Sequence, residues 1–236
     1  MSSISVTHLS LAAVLGVSTA VFLPVGVIAG PGTGTIEGTV TLSGGSPGNK
    51  NLSKATDPFC AKHAGADEAV VTSSGKLAGV HVGIKNGKAG NHAPPPAPVV
   101  IQQKGCMYTP RVSGIVQGQT LVITNEDNTL HNVHAYVGRQ TWFNKGQKPK
   151  GPKLKERASK AGTTMDLKCD VHPWMRGYAV VTDHPFFDVT EAGGSFKITG
   201  VPPGKYTLEA WHPELGKKRK RVTVSAGATA SAMFAF

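Results

Sequence analysis

The run Cys169-Asp170-Val171-His172-Pro173-Trp174-Met175 sets a thiol, an imidazole and a thioether three residues apart in turn. Upstream, Asn125-Glu126-Asp127-Asn128-Thr129-Leu130-His131-Asn132-Val133-His134 supplies further imidazoles. A thiolate with imidazole and thioether donors is a soft set, suited to an ion that cycles between cuprous and cupric states. Cys169, His172 and Met175 can converge on one ion from a single tight loop after a strand. A second imidazole must then come from another strand, and His131, at a turn-to-strand junction, is placed for it. Two other chemistries use the same residues. Zinc would pair His131 and His134 with Cys169 and His172. On a strand, however, residues three apart face opposite sides, so both histidines should not reach one ion, and Met175 would have no role. A Cys–His nucleophile pair would need an orienting third residue and an oxyanion motif, and neither is evident around Cys169. The remaining histidines, His8, His63, His81, His92, His184 and His212, read as ordinary polar residues on or beside strands.

The elements that must position these groups are strands. The 236 residues include 29 Gly and 16 Pro, too many for a helical bundle, and 39% hydrophobic residues, enough for a folded core. Short or alternating apolar runs bounded by turn residues predict strands at 35–42, 68–72, 79–85, 99–103, 121–125, 132–137, 163–169, 178–182, 195–199, 205–211, 220–224 and 229–236. No segment keeps a 3.6-residue apolar period over three turns. The chain therefore reads as all-β, with sandwiches as the expected architecture. Composition shifts at Lys88–Pro98, with its Pro94-Pro95-Pro96 spacer, and at Thr182–Pro185 mark off a middle segment of about 85 residues.

Two resemblances follow from particular residues. The middle segment, roughly 98–183, resembles the cupredoxins, the blue-copper Greek-key β-sandwich proteins, and most closely their amicyanin-like and plastocyanin-like members. Cys169, His172, Pro173, Met175, Arg176 and Gly177 match the short ligand loop C-x-x-H-P-x-M-R-G, and His131 to His134 match the upstream H-N-V-H. The resemblance implies one mononuclear copper ion. His131, Cys169 and His172 would form its trigonal set, Met175 would be a weak axial ligand, and Asn132 would tie the His131 loop to the Cys169 loop. It also implies that His131 is the buried histidine and that His172 is partly exposed and the exit for electrons. Two features depart from the family, a very basic loop over Gly138–Lys160 and the flanking sequence. The flanks are similar to the carboxypeptidase regulatory-like family, a small Ig/transthyretin-like β-sandwich. The similarity lies in an opening Gly38-Thr39-Val40 strand, Gly194-Ser195-Phe196, and Pro202-Pro203-Gly204-Lys205-Tyr206-Thr207-Leu208. The expected organisation is a signal peptide over 1–29, the first part of the flanking sandwich over 30–97, the copper domain over 98–183 and the second part of the sandwich over 184–236.

The three cysteines exclude a disulfide-dense scaffold and a four-cysteine metal site. Residues 9–29 are apolar and free of charge, ending in Val27-Ile28-Ala29, as an export signal does; an uncleaved membrane anchor is the alternative. In an exported, periplasmic setting Cys60 and Cys106 are expected to pair, leaving Cys169 reduced for metal. Two free thiols, or a second metal site at Cys60 and His63, are the other options. Lys145, Lys148, Lys150 and Lys153, with Lys155, Arg157 and Lys160, concentrate the net charge of +11. They suit an acidic electron-transfer partner or another anionic surface, with Trp174 in an apolar docking patch, unless they form only a solvated loop. Nothing resembles a nucleic-acid motif. The expectation is a one-electron carrier and not an enzyme, with copper delivery or a structural sandwich with a degenerate site as alternatives.

Overall fold

The structure, a computed structural model, describes residues 32–43, 51–63, 65–66, 69–86 and 92–236. The proposed export segment 1–29 and part of the Lys88–Pro98 spacer lie outside the described residues. No helix among those described is long and apolar enough to cross a membrane. The described chain is all-β apart from one 3-10 turn, Cys60–His63.

Four larger sheets line two separate hydrophobic cores. One core gathers Ile36, Val40, Leu77, Val82, Phe196, Ile198, Leu208, Val222 and Phe234, among others. Its first sheet runs Ser195–Val201, Gly34–Thr41, Lys76–Leu77, Thr72–Ser73, and Thr229–Ala235 lies parallel to Gly34–Thr41. That parallel pair approaches closely at Gly38, where a Cβ would fall 1.6 Å from the Ala232 carbonyl oxygen. Its second sheet runs Phe187–Val189, His81–Asn86, Gly204–His212, Gly216–Val224. The Gly204–His212 strand shows why these residues choose a sheet: Tyr206, Leu208, Ala210 and His212 alternate inward. The Pro202-Pro203 turn before it is held by the Tyr206 hydroxyl, which donates to the Pro202 carbonyl at 2.8 Å.

The other core is a β-sandwich built from residues 99–181, joined by Phe59 and Cys60. One sheet runs Leu154–Arg157, Thr120–Asn125, Val99–Gln103, Tyr108–Thr109, and the facing sheet runs Gln140–Gln147, His131–Val137, Thr164–Lys168, Arg176–Thr182, Val112–Val116. The basic segment is thus not a loop, as its sequence suggests. Much of it forms Gln140–Gln147 and Leu154–Arg157, the outermost strand of each sheet. Edge strands have one unpaired side, and lysines there discourage pairing with a second chain. This favours Lys145, Lys155 and Arg157 where an interior strand would carry apolar residues.

Side chains from the sheets around the two cores touch at several points. The Phe187 ring seats on the bare backbone of Gly114, where a Cβ would lie 2.2 Å from the ring. Tyr178 and Trp211 make an edge contact at 5.7 Å between ring centroids, and Arg111 pairs with Glu214 at 3.1 Å.

Candidate metal centre

Cys169 follows the Thr164–Lys168 strand, and Met175 precedes Arg176–Thr182. These strands pair with Lys168 opposite Arg176, so residues 169–175 are the closing loop of a hairpin. The loop is drawn into a turn by the Met175 amide, which donates to the His172 carbonyl at 2.9 Å. His131 begins the adjacent strand, where His134 pairs with Lys168. The Tyr108 hydroxyl bridges the two strands by donating to the carbonyls of Asn132 and Lys168 at 3.2 and 3.0 Å. Before His131, the turn is shaped by Asn125. Its amide donates to the carbonyls of Thr129, Gln147 and Lys148, while its oxygen accepts from the Asp127 amide. This is the local economy of an Asx turn.

The fold brings the side chains of His131, Cys169 and His172 together. The two histidine Nδ1 atoms are 2.9 Å apart, and Cys169 Sγ lies 3.8 Å from His172 Nδ1. One donor atom from each of the three residues lies within 4.8 Å of the others. All three residues are buried, as is Met175, which lies in the same hydrophobic core as Cys169. Asn132 joins the two loops: its side-chain oxygen accepts from the Asp170 amide at 2.6 Å, and its backbone N–H points at Cys169 Sγ at 3.5 Å. His134 faces the opposite side of its strand, where it meets Asp170, Tyr136 and Thr141. Four-ligand zinc therefore has no fourth donor in His134.

One expectation fails. His172 is only 1% exposed, not a partly open histidine. The cover is the Asp57–His63 segment, which belongs to the sequence before the Pro-rich spacer. Asp57 Oδ2 lies 3.2 Å from His172 Nε2, and Cys60 Sγ lies 3.7 Å from the same nitrogen. Cys60 is bonded to Cys106, which holds this cover on the sandwich. Bonded to each other, neither cysteine is free to ligate with His63. Asp127 stands behind the other histidine, its Oδ2 2.9 Å from His131 Nε2.

Neither carboxylate stands out in the sequence as a site residue. Asp127 lies four residues before His131, yet in a turn whose course only the fold reveals. Asp57 stands 115 residues from His172. The one local hint was Asp57 ahead of Cys60, since its Oδ1 accepts from the amides of Phe59 and Cys60 and caps the 3-10 turn.

The electrostatics separate the three central groups. Burial opposes ionisation of Cys169, but hydrogen bonds from His131 and from the Asn132, His172 and Val171 amides outweigh it and hold the thiol below its ordinary range. Burial likewise opposes charge on His131, yet Asp127 and the Cys169 sulfur raise it. His172 is lowered, burial and the nearby His131 charge prevailing over Asp57. A thiol held low thus lies beside two imidazole nitrogens that meet each other at 2.9 Å, donors that a metal ion would take up in place of protons. A low-lying thiolate and two imidazole nitrogens converging in a sealed site fit a soft or borderline ion.

Trp174 is half-buried, its ring 5.1 Å from that of His172 and its indole nitrogen donating to the Cys106 carbonyl at 3.1 Å. Leu130 and Val171, the neighbours of two histidines, are exposed. Lys148, Lys150 and Lys153 are exposed between the two edge strands, and Lys145 pairs with Glu156 at 2.6 Å.

Residues 173–232 match the family model described as polysaccharide lyase family 4, domain II. No curated protein matches the chain. Several solved structures are similar to part of it. The purple cupredoxin from Nitrosopumilus maritimus is 22% identical with a TM-score of 0.32, over 36% of this chain and 99% of that one. The copper-containing nitrite reductase of Thermus scotoductus SA-01 is 24% identical with a TM-score of 0.33, over 41% of this chain and 25% of that one. The P94A mutant of amicyanin is 27% identical with a TM-score of 0.32, over 35% of this chain and 80% of that one.

Proposed function

We propose that His131, Cys169 and His172 hold a single copper ion, with the Met175 thioether as a weak fourth ligand, and that the protein is an exported one-electron carrier and not an enzyme. The observation that carries this reading is the convergence of two histidine Nδ1 atoms and an unpaired, acidified thiol in one buried site. Copper would supply one-electron redox chemistry there. The protein's residues do the rest. Cys169 gives a strongly covalent thiolate, Asn132 locks the two ligand loops together, and the buried site keeps water and external ligands out. A framework held this rigidly changes little between oxidation states, which suits repeated electron transfer. Burial of all the donors speaks against delivery, because a module that hands over its ion must open to do so.

In this reading residues 98–183 are a cupredoxin domain, and 30–97 with 184–236 form a carboxypeptidase regulatory-like sandwich around it. The apolar 1–29 segment sends the chain out of the cytoplasm, to the periplasm in a bacterium. An acidic partner docks near Trp174, Leu130 and Val171, steered by Lys145, Lys148, Lys150 and Lys153.

Metal analysis with a visible spectrum of copper-loaded protein tests the assignment. We expect one copper per chain, an intense thiolate-to-copper band and reversible redox cycling, with Cys169→Ser abolishing the colour. A colourless wild type carrying stoichiometric copper refutes it. Rapid surrender of cuprous ion to a mild chelator supports delivery instead, and no copper uptake supports a structural role.

A further inference from the structure

We propose that Asp57 and Asp127 are positioning residues that fix the two histidines for metal binding, and that the Cys60–Cys106 bond, which anchors both, belongs to the metal centre. The proposal rests on the copper reading above. Each carboxylate joins one cysteine of the disulfide to one histidine. Asp57 Oδ1 accepts from the Phe59 and Cys60 amides at 2.8 and 2.9 Å, while Oδ2 accepts from the Thr129 hydroxyl at 2.7 Å and faces His172 Nε2. Asp127 Oδ1 accepts from the Gly105 amide at 2.7 Å, while Oδ2 accepts from the Cys106 amide at 2.8 Å and faces His131 Nε2. The buried Lys54 braces the frame from outside, donating to the carbonyls of His63 and Gly105 at 2.9 and 3.1 Å. These contacts close a frame from Cys60 through Asp57 to His172, across to His131, and back through Asp127 to Cys106.

The chemistry follows from what a carboxylate can do. Ionised, it only accepts hydrogen bonds, so the facing Nε2 must carry a proton. A neutral imidazole then has its lone pair on Nδ1, the atom turned toward Cys169. Such partners orient the ring and choose its tautomer before the ion arrives. The two remaining acidic groupings around the centre, Asp57 with Cys60 and His172 and Asp127 with Cys106 and His131, do not form rival metal sites. Their sulfurs are already spent on each other.

Asp57→Asn makes the discriminating variant. The two amides on Oδ1 hold the side chain in place, so the new NH2 faces His172 Nε2 as a donor and drives the ring proton to Nδ1, where it blocks the ion. In metal-free protein, ¹⁵N spectra of the histidine rings should show His172 protonated at Nε2 in the wild type and at Nδ1 in Asp57→Asn. Competition titration with a chelator should show cupric affinity about ten- to a hundred-fold weaker in the variant. Asp127→Asn should weaken binding by a similar factor through His131. So should Cys60→Ala/Cys106→Ala, in protein shown by circular dichroism to be folded. An unchanged His172 tautomer, or wild-type copper affinity in folded Asp57→Asn, overturns the proposal and leaves the copper reading standing. A wild type that takes no copper sinks that reading instead, while the metal-free tautomer comparison still decides the roles of the carboxylates.

Discussion

His81 offers a quantitative test of the packing between the two cores. It starts the His81–Asn86 strand, is 4% exposed, and lies against the Phe187 ring that rests on Gly114. Its Nε2 has no hydrogen-bond partner among the described residues. Burial, reinforced by the neighbouring His184, therefore pushes its pKa down from 6.5 to about 3. The unfolded chain takes up a proton near pH 6.5 that the folded chain refuses until about pH 3. Stability is thus fully present above pH 6.5 and is lost as pH falls through this window. Between pH 7.5 and pH 5 the loss from this one residue amounts to about 2 kcal/mol, taking ~1.4 kcal/mol per pH unit below the unfolded pKa. His81→Leu removes the titrating group while keeping an apolar side chain against Phe187. Urea unfolding of wild type and variant at both pH values gives the difference directly. The wild type should lose about 2 kcal/mol more than the variant over this interval. Other depressed histidines, such as His212 at about 4, contribute equally to both proteins and cancel. Parallel losses in the two proteins would falsify the claim that His81 is held neutral by burial at this junction.

Three further outcomes are expected. Replacing Cys60 and Cys106 together by Ala opens a 46-residue separation, and the chain-entropy model puts the lost stability at about 4 kcal/mol, readable by equilibrium unfolding of metal-free protein. Gly114→Ala drives a Cβ into the Phe187 ring, so thermal unfolding should report destabilisation of about 1–3 kcal/mol, whereas a neutral result would mean that the ring is free to move aside. Met175→Leu should keep the thiolate-to-copper band and raise the reduction potential, as loss of a weak axial donor to cupric ion does; voltammetry checks both the sign and the persistence of the colour.

The cluster was legible because Cys169 and His172 share one short loop, and because strand geometry separates His131 from His134. The strands of both cores were legible wherever apolar residues alternate, as in Lys205–Trp211. Val112–Val116 leaves no strand pattern because Ser113 and Gly114 interrupt its apolar run, and Gly114 admits a ring from elsewhere in the chain. The edge strands Gln140–Gln147 and Leu154–Arg157 were hidden by the lysines that suit an edge. The burial of His172 could not be read from its own loop, because the cover comes from a distant segment carrying Asp57. A carboxylate's partner across 115 residues leaves no local pattern.

The position of Gly34–Thr41 carries a consequence for assembly. Its long neighbours are Ser195–Val201 on one side and Thr229–Ala235 on the other. The sheets of the core around Cys169, by contrast, draw only on 99–182, with Cys60 supplied earlier in the chain. As a chain emerges N-terminus first, the later-numbered core can close while the earliest strand still waits for its partners. That strand waits for Ser195–Val201 on one side and for Thr229–Ala235 on the other, at the entropic cost of closing very long loops. His131, Cys169, His172 and the Cys60–Cys106 bond can therefore come together before the surrounding sheets are complete.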